Sequence, residues 1–383
     1  MMKQFMRALL CLGLLLPLGA KAEEFSDIFV FGDSLSDTGN AATLADAAPL
    51  LLTSNPKFLK FLTFLTNPTM TGPRVALCFP DVTFEGDPPI IKDVDPDFPC
   101  ADLFFESSRV SNGPVAVEIL AKRFGFEDLQ PSLHFLPLVG LEPFRPPDFG
   151  TNYAVAAATA RGSDLIDLID LNVQIAGFLA DLADLPAASD ALYVFMIGGN
   201  DVIDAANALA ELVIGSTPDE MPGAIIDDAV AAIGDNINLL VGAGARKFLV
   251  VNSPNIGSLP AAESGLARAI ATFVTIKFNE QLAERLDQIQ AGQPLVEIKQ
   301  FDLFRFFEVV RFFGKLFGVF ENIKDACFDS GEYRDTGARN FDPGCGVDKF
   351  DDFVFFDAIH PTGQVHQFVG KALSRAAHKL IDD

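Results

Sequence analysis

Ser34 stands in a setting that suits a nucleophile. The run 28–31 is apolar, Gly32 interrupts it, and Ser34 follows two residues later between Asp33 and Asp37. A short buried strand that gives way to a turn would hold a serine rigidly and still expose it at the end of a sheet. Gly, Asp, Ser and Asn are also ordinary turn residues, so the stretch alone does not separate a nucleophile from a polar turn. A hydroxyl is a poor nucleophile at neutral pH and needs a base beside it. The chain has four histidines: His134, His360, His366 and His378. His134 lies in a Pro-rich stretch without a nearby acid. His366 and His378 fall on a helix expected over 364–381, where a solvent-facing side chain is the ordinary outcome. His360 differs, because Asp357 precedes it by three residues and Pro361 restricts the backbone. That spacing lets one turn carry a base and the carboxylate that fixes its tautomer.

Acyl transfer also needs donors for an oxyanion. Gly198-Gly199-Asn200-Asp201 follows the strongest apolar run of the chain, 191–197, and offers the Asn200 amide at a strand end. A backbone N–H at Ala156, Ala157 or Ser34 would complete such a site. Acids at Asp164, Asp167 and Asp170 recur at a spacing that suggests the solvated face of a helix. A carboxylate metal cluster there is the weaker alternative, since no histidine is near.

These residues need a scaffold. Apolar runs at 28–31, 191–197, 248–252 and 295–298 read as buried strands. Helical patterns at 114–124, 205–213, 224–241, 264–289 and 364–381 alternate with them, which indicates a parallel sheet covered on both faces. Ser111 or Asn112 is placed to cap the first of these helices. The segment 301–320 carries eight phenylalanines around one narrow polar face. It reads as a helix packed into the core over most of its circumference, with a flap or wall touching an acyl chain or a lipid surface as the alternative.

The first residues have the form of a secretory leader. Lys3 and Arg7 precede an apolar run too short to span a bilayer, and Ala20-Lys21-Ala22 is a cleavage signal. Residues 1–22 are therefore expected to be removed, and 23–383 to form one domain with loop insertions around 41–108 and 301–350. The expected location is secreted or periplasmic. Cys11 would leave with the leader, and four cysteines remain. Of the three pairings they allow, Cys78–Cys100 and Cys327–Cys345 close short local loops and are favoured. A four-cysteine metal site is disfavoured by the absence of any C-x-x-C spacing. The chain has 28 basic against 52 acidic residues, net −24, and −27 once Lys3, Arg7 and Lys21 are removed. Such a surface repels nucleic acid and anionic membranes.

The segments 32–40, 150–154, 198–201 and 357–362 resemble, in order, the motif blocks of the GDSL (SGNH) lipase/esterase family. The closest likeness is to the long branch with plant GDSL lipases and secreted bacterial esterases and phospholipases. Arg109-Val110-Ser111-Asn112-Gly113-Pro114, Asn252-Ser253-Pro254, Phe278-Asn279 and 318–322 are similar to further landmarks of that branch. The resemblance implies a flavodoxin-like three-layer α/β/α sandwich with a central five-stranded parallel sheet. It implies Ser34 as nucleophile, His360 as base and Asp357 as orienting acid. Asn200, Ser34 and Ala157 would form the oxyanion hole, with Asp33, Asp37 and Gly199 in support. No metal and no cofactor are implied, and a monomer acting on a small-molecule or lipid ester is expected. One departure is notable: the family usually has a Gly pair where this chain has Ala156-Ala157, so a positive φ there would carry strain. Phe356 in place of the branch's usual Trp should affect packing alone. Acyl transfer to an alcohol or sterol, and a non-catalytic binding protein on a disabled fold, are the alternative functions.

Overall fold

The computed structural model describes residues 25–44, 83–85, 90–92, 108–135, 137, 150–162, 168–328, 341–342 and 344–382. The expected leader, Cys78 and Cys100, and Asp164 and Asp167 lie outside the described residues. The strands are β1 (Ile28–Gly32), β2 (Thr83–Glu85), β3 (Ile90–Lys92), β4 (Leu192–Met196), β5 (Lys247–Val251), β6 (Glu297–Phe301), β7 (Asn322–Ala326) and β8 (Phe353–Phe355). The helices are α1 (Ala116–Arg123), α2 (Leu171–Asp181), α3 (Gly199–Val213), α4 (Pro222–Ala243), α5 (Gly265–Gly292), α6 (Leu303–Leu316) and α7 (Gly363–Asp382).

β1, β4, β5 and β6 form a parallel sheet in that order. Every residue of β4 is buried, as expected of a strand covered on both faces. The sheet has four regular strands among the described residues, not the expected five. The outer edge of β1 is instead occupied by the extended segment 151–155. Val30 N–H donates to Thr151 O at 3.0 Å, Tyr153 N–H to Val30 O at 2.7 Å and Val155 N–H to Gly32 O at 3.1 Å. Asn152 pairs with Val30 in the parallel sense. The side chain of Asn152 bonds back to the turn after β1, so the segment serves that turn as much as the sheet. With it counted, the spatial order is 2-1-3-4-5 in chain order, and the topology reverses between β1 and β4. Open α/β sheets bind ligands outside the strand ends at such a reversal.

Helices α2 to α5 pack on one another, with α2 against β1 and α5 against β6; α7 packs on α1, β5 and β6. The mixed α/β layering agrees with the expected sandwich. β7 and β8 form a small separate parallel pair that carries the chain to Asp357, and β2 pairs with β3. Cys327 and Cys345 are joined in a disulfide, with Cα atoms 5.4 Å apart.

Expectations fail at the start of α2 and on α6. Asp170 is not on a solvated face: it precedes α2 and is buried, accepting bonds from Thr159 N–H (2.8 Å) and Thr159 Oγ1 (2.9 Å). Helix α6 is not enclosed over most of its surface. Leu303, Phe307 and Gly314 are buried, while Phe312 is 64% and Phe317 72% exposed. One inner stripe meets the protein, and nothing in the sequence period tells which apolar stripe that is. Among the described residues no helix is long and apolar enough to cross a membrane.

Candidate active site

Ser34 begins where β1 ends. Gly32 cannot carry a side chain, since a Cβ there would lie 2.5 Å from Met196 O. The close approach of β1 and β4 at this point therefore requires glycine. The turn that follows is built by side chains. Asp37 accepts from the N–H groups of Gly39 (2.7 Å), Asn40 (2.7 Å) and Ala41 (3.0 Å). Asn152 donates to Ser36 O (2.7 Å) and Thr38 Oγ1 (3.0 Å), and Asn40 donates to Asn152 O (2.8 Å) and Ala154 O (2.9 Å). Gln174 on α2 clamps Gly32 from behind, accepting from its N–H and donating to its O, both at 2.8 Å.

His360 comes from the other end of the chain, 326 residues away, and its Nε2 lies 2.8 Å from Ser34 Oγ. Its Nδ1 lies 2.8 Å and 2.9 Å from the two oxygens of Asp357. Asp357 also accepts from the N–H groups of Ile359 (2.8 Å) and His360 (2.6 Å), which folds the three-residue spacing into one tight turn. All three side chains are buried. Burial alone would raise the Asp357 carboxyl, but the charge and hydrogen bonds of His360 outweigh it and hold the carboxyl below its usual range. A carboxylate ionised against a histidine fixes the proton on Nδ1 and leaves Nε2 to accept from the serine.

The turn bearing His360 is held by the landmark near residue 110. Ser111 Oγ donates to Pro361 O at 3.0 Å, and Asn112 Oδ1 accepts from Gly363 N–H at 2.8 Å. These side chains therefore do not cap α1 as expected. Glu118 does so, accepting from Val115 N–H at 2.8 Å. His366 is also not solvent-facing. It is buried in the cleft wall beside His360, its Nδ1 accepts from Ala116 N–H at 3.1 Å, and burial pushes it down to about 3. It is thus neutral, with its proton on Nε2. His134 is buried against Tyr153, and His378 is exposed and packs on Phe124.

The residues expected to bind an oxyanion besides Ser34 lie on two further segments, and of them Asn200 lines the cleft with Ser34. Gly198 has φ +106°, and a Cβ there would strike the Phe278 ring at 2.4 Å, so only glycine lets α3 start at this point. Asn200, in the first turn of α3, donates through Nδ2 to Ala158 O at 2.8 Å. That bond uses one amide hydrogen and ties α3 to the loop 156–161. In that loop Ala157 has φ +69°, so the positive angle is adopted at one of the two alanines where the resemblance led one to expect glycine. Ala156 N–H is engaged by Asp37 Oδ2 at 2.8 Å. The N–H groups of Ala157 and Ser34 have no acceptor among the described residues. Asp201, which carried no separate role in the motif, anchors the same loop by accepting from Ala160 N–H (2.8 Å) and Arg161 N–H (3.3 Å). Burial pushes its carboxyl up to about 6, against the pull of these bonds and of Arg161. Asp33 is buried between the serine turn and Gly199. Burial pushes it up to about 7, against its bonds from Leu35 and Gly199 N–H and the proximity of His360. Burial likewise raises Asp37, despite four backbone donors.

Ser34, His360 and Asn200 open into a cleft of about 620 Å³, space open to solvent included. Apart from Asp33, Ser34, Asn200, His360 and His366, its side chains are apolar, Leu35, Met196, Leu303 and Phe307 among them. Gln174 and Asp201 had no sequence signal of their own: a buried polar side chain on an apolar helix shows its partners only in three dimensions.

The family model for GDSL-like lipase/acylhydrolase matches residues 28–373. An Arabidopsis thaliana protein named "Inactive GDSL esterase/lipase-like protein 25" is 26% identical over 72% of this chain and 63% of its own length. The chain thus spans less than two thirds of that relative. Two GDSL esterase/lipases of the same plant are 25% identical over 69% of this chain and 76% of theirs, and 24% identical over 94% and 84%. A match from the first sheet strand to the middle of the last helix takes in all the segments that meet at Ser34, and the chain belongs to the GDSL-like lipase/acylhydrolase family.

Proposed function

We propose that this protein hydrolyses carboxylic esters through an acyl-enzyme on Ser34. The observation that carries the reading is the unbroken hydrogen-bonded chain Ser34–His360–Asp357 at the edge of an apolar cleft. Ser34 Oγ attacks the ester carbonyl while His360 Nε2 takes its proton. Asp357 stabilises the imidazolium that forms. The tetrahedral oxyanion accepts bonds from the N–H groups of Ser34 and Ala157 and from Asn200 Nδ2. Its collapse breaks the C–O bond to the alcohol, and His360 returns the proton to that oxygen. Water then attacks the acyl-enzyme by the same route and releases the acid. An alcohol or sterol in place of water would give acyl transfer with the same groups.

The apolar lining supports lipid-like or short acyl esters. Helix α6 supports contact with a lipid surface: Val309, Phe312, Phe313, Leu316 and Phe317 are exposed on one helical stripe, while Leu303 and Phe307 of the same helix line the cleft. A chain of net charge −24 suits an uncharged or zwitterionic surface. The disulfide and the leader-like N-terminus support export, with residues 23–383 as one mature domain. The similarity to a relative named as inactive and the strained Ala157 favour a non-catalytic binder as the second reading.

A serine-reactive phosphonate, with mass spectrometry, tests the choice. Labelling at Ser34, lost in Ser34→Ala and His360→Ala together with turnover of p-nitrophenyl butyrate, is the expected result. Full turnover in either variant would overturn the assignment. Phosphatidylcholine vesicles should carry the protein on flotation, and Phe312→Asp with Phe317→Asp should abolish it.

A further inference from the structure

A second groove of about 930 Å³, open solvent included, adjoins the cleft. The two share four walls: Ile203, Ile256, Leu259 and Ile359. Ile203 is three residues beyond Asn200 on α3, and Ile359 directly precedes His360. The groove therefore adjoins the cleft beside the two segments that carry Asn200 and His360. It continues between α3 and α5, which pack on each other. Ala206 and Ala210 from α3 face Ala267 and Ala271 from α5. These spacings of four place each pair on one helical face. Larger side chains at these positions would fill the groove. Its polar members, Asn207 and Glu263, are few against alanine, isoleucine and leucine.

We infer that this groove takes the distal part of the substrate's acyl chain, which passes from Ser34 over Ile203 and Leu259. The inference rests on the ester-hydrolase reading and names its substrate class: unbranched medium-to-long acyl esters. The acyl group stays on the protein through both half-reactions, which suits a walled channel; the alcohol must escape after the first. From Asn200 to Ala210 the helix rises about 15 Å. An extended chain that advances about 1.2 Å per bond covers this with roughly a dozen carbons.

The test compares kcat/KM for p-nitrophenyl esters from butyrate to palmitate, and for butyrate esters of alcohols of increasing size. Ala206→Phe and Ala271→Leu, which fill the groove, should lower the dodecanoate-to-butyrate ratio at least tenfold. Leu259→Ala, which widens the passage, should move the preferred chain longer by two or more carbons. Unchanged acyl profiles in folded variants that still take up phosphonate at Ser34 would overturn the inference and leave the hydrolase reading intact. A shift in alcohol preference instead would overturn it as well, by giving the groove to the leaving group. Absence of any turnover or labelling in the unaltered protein would defeat the hydrolase reading itself.

Discussion

Replacing Ala157 by glycine should make the protein more stable, whereas the same change one residue earlier should make it less so. Ala157 sits at φ +69° and Ala156 at none of the positive angles. A Cβ in the left-handed region costs about 1–2 kcal/mol. Glycine removes that cost and adds about 0.5–1 kcal/mol of freedom to the unfolded chain. The net gain for Ala157→Gly is about 0.5–1 kcal/mol, a rise in Tm of about 1 °C at this size. At Ala156, which is 3% exposed, there is no strain to relieve. Ala156→Gly adds the unfolded-state term and loses a buried methyl of about 0.8 kcal/mol, so Tm should fall by about 2 °C. Ala157→Val should fall further, because a β-branched residue at positive φ is a genuine outlier. Calorimetry on the three variants measures this, with p-nitrophenyl butyrate turnover in parallel. Ala157→Gly keeps the N–H proposed to bind the oxyanion, so its kcat should stay within about threefold of the parent or exceed it. A fall in Tm for Ala157→Gly equal to that for Ala156→Gly would refute the reasoning. The loop would then not hold the angle, and the donor assigned to Ala157 would point elsewhere.

Other outcomes follow from the same geometry. Asp357→Asn should leave the fold intact and lower kcat by about 10⁴ through the wrong histidine tautomer, measured by burst and steady-state kinetics. Asn200→Ala should cost about 10²–10³ in kcat with little change in KM. Stability should decline as pH rises from about 4 to 7. Asp33 binds its proton up to about 7 in the folded protein and to 3.8 when unfolded, and Asp201 acts in the same sense up to about 6. Each then contributes a slope of about 1 kcal/mol per pH unit in its window; Asp33→Asn, which mimics the protonated acid, should flatten the upper part in urea melts between pH 5 and 7. Asp357 acts oppositely, contributing stability above its usual range that is lost only in stronger acid. Removal of the Cys327–Cys345 bridge, which closes a loop of 18 residues, should cost about 3 kcal/mol, read from urea midpoints of the reduced and oxidised protein.

Much of the site was legible because local chemistry encodes it. An apolar run broken by glycine reports a strand end wherever it occurs, and Asp357 and His360 are close enough in sequence for one turn to join them. Parallel strands buried on both faces have near-continuous apolar runs, so β1, β4 and β5 stood out. The groups that matter through long-range contact did not. Gln174 meets Gly32 only because α2 crosses behind β1, and Ser111 meets Pro361 across 250 residues of chain. His366 has the sequence context of an exposed helical residue, and its burial depends on α7 packing against α1. The outward face of α6 is hidden from the sequence for the same reason: a helix rich in phenylalanine on several sides does not state which side meets the core.

By itself, then, the sequence determined the order of the four sheet strands and of the helices that alternate with them, the residue types at those strand ends, and the presence of alanine where a positive φ was at stake. Only the tertiary structure decided that the angle is adopted at Ala157, that Ala156 rather than Ala157 gives its N–H to Asp37, and that His360 reaches Ser34. The division has a physical cause. Backbone propensities and hydrophobic periods act over a few residues and are written locally. A hydrogen bond between residues 326 positions apart exists only after the sheet has closed the distance and the loops have excluded water from it.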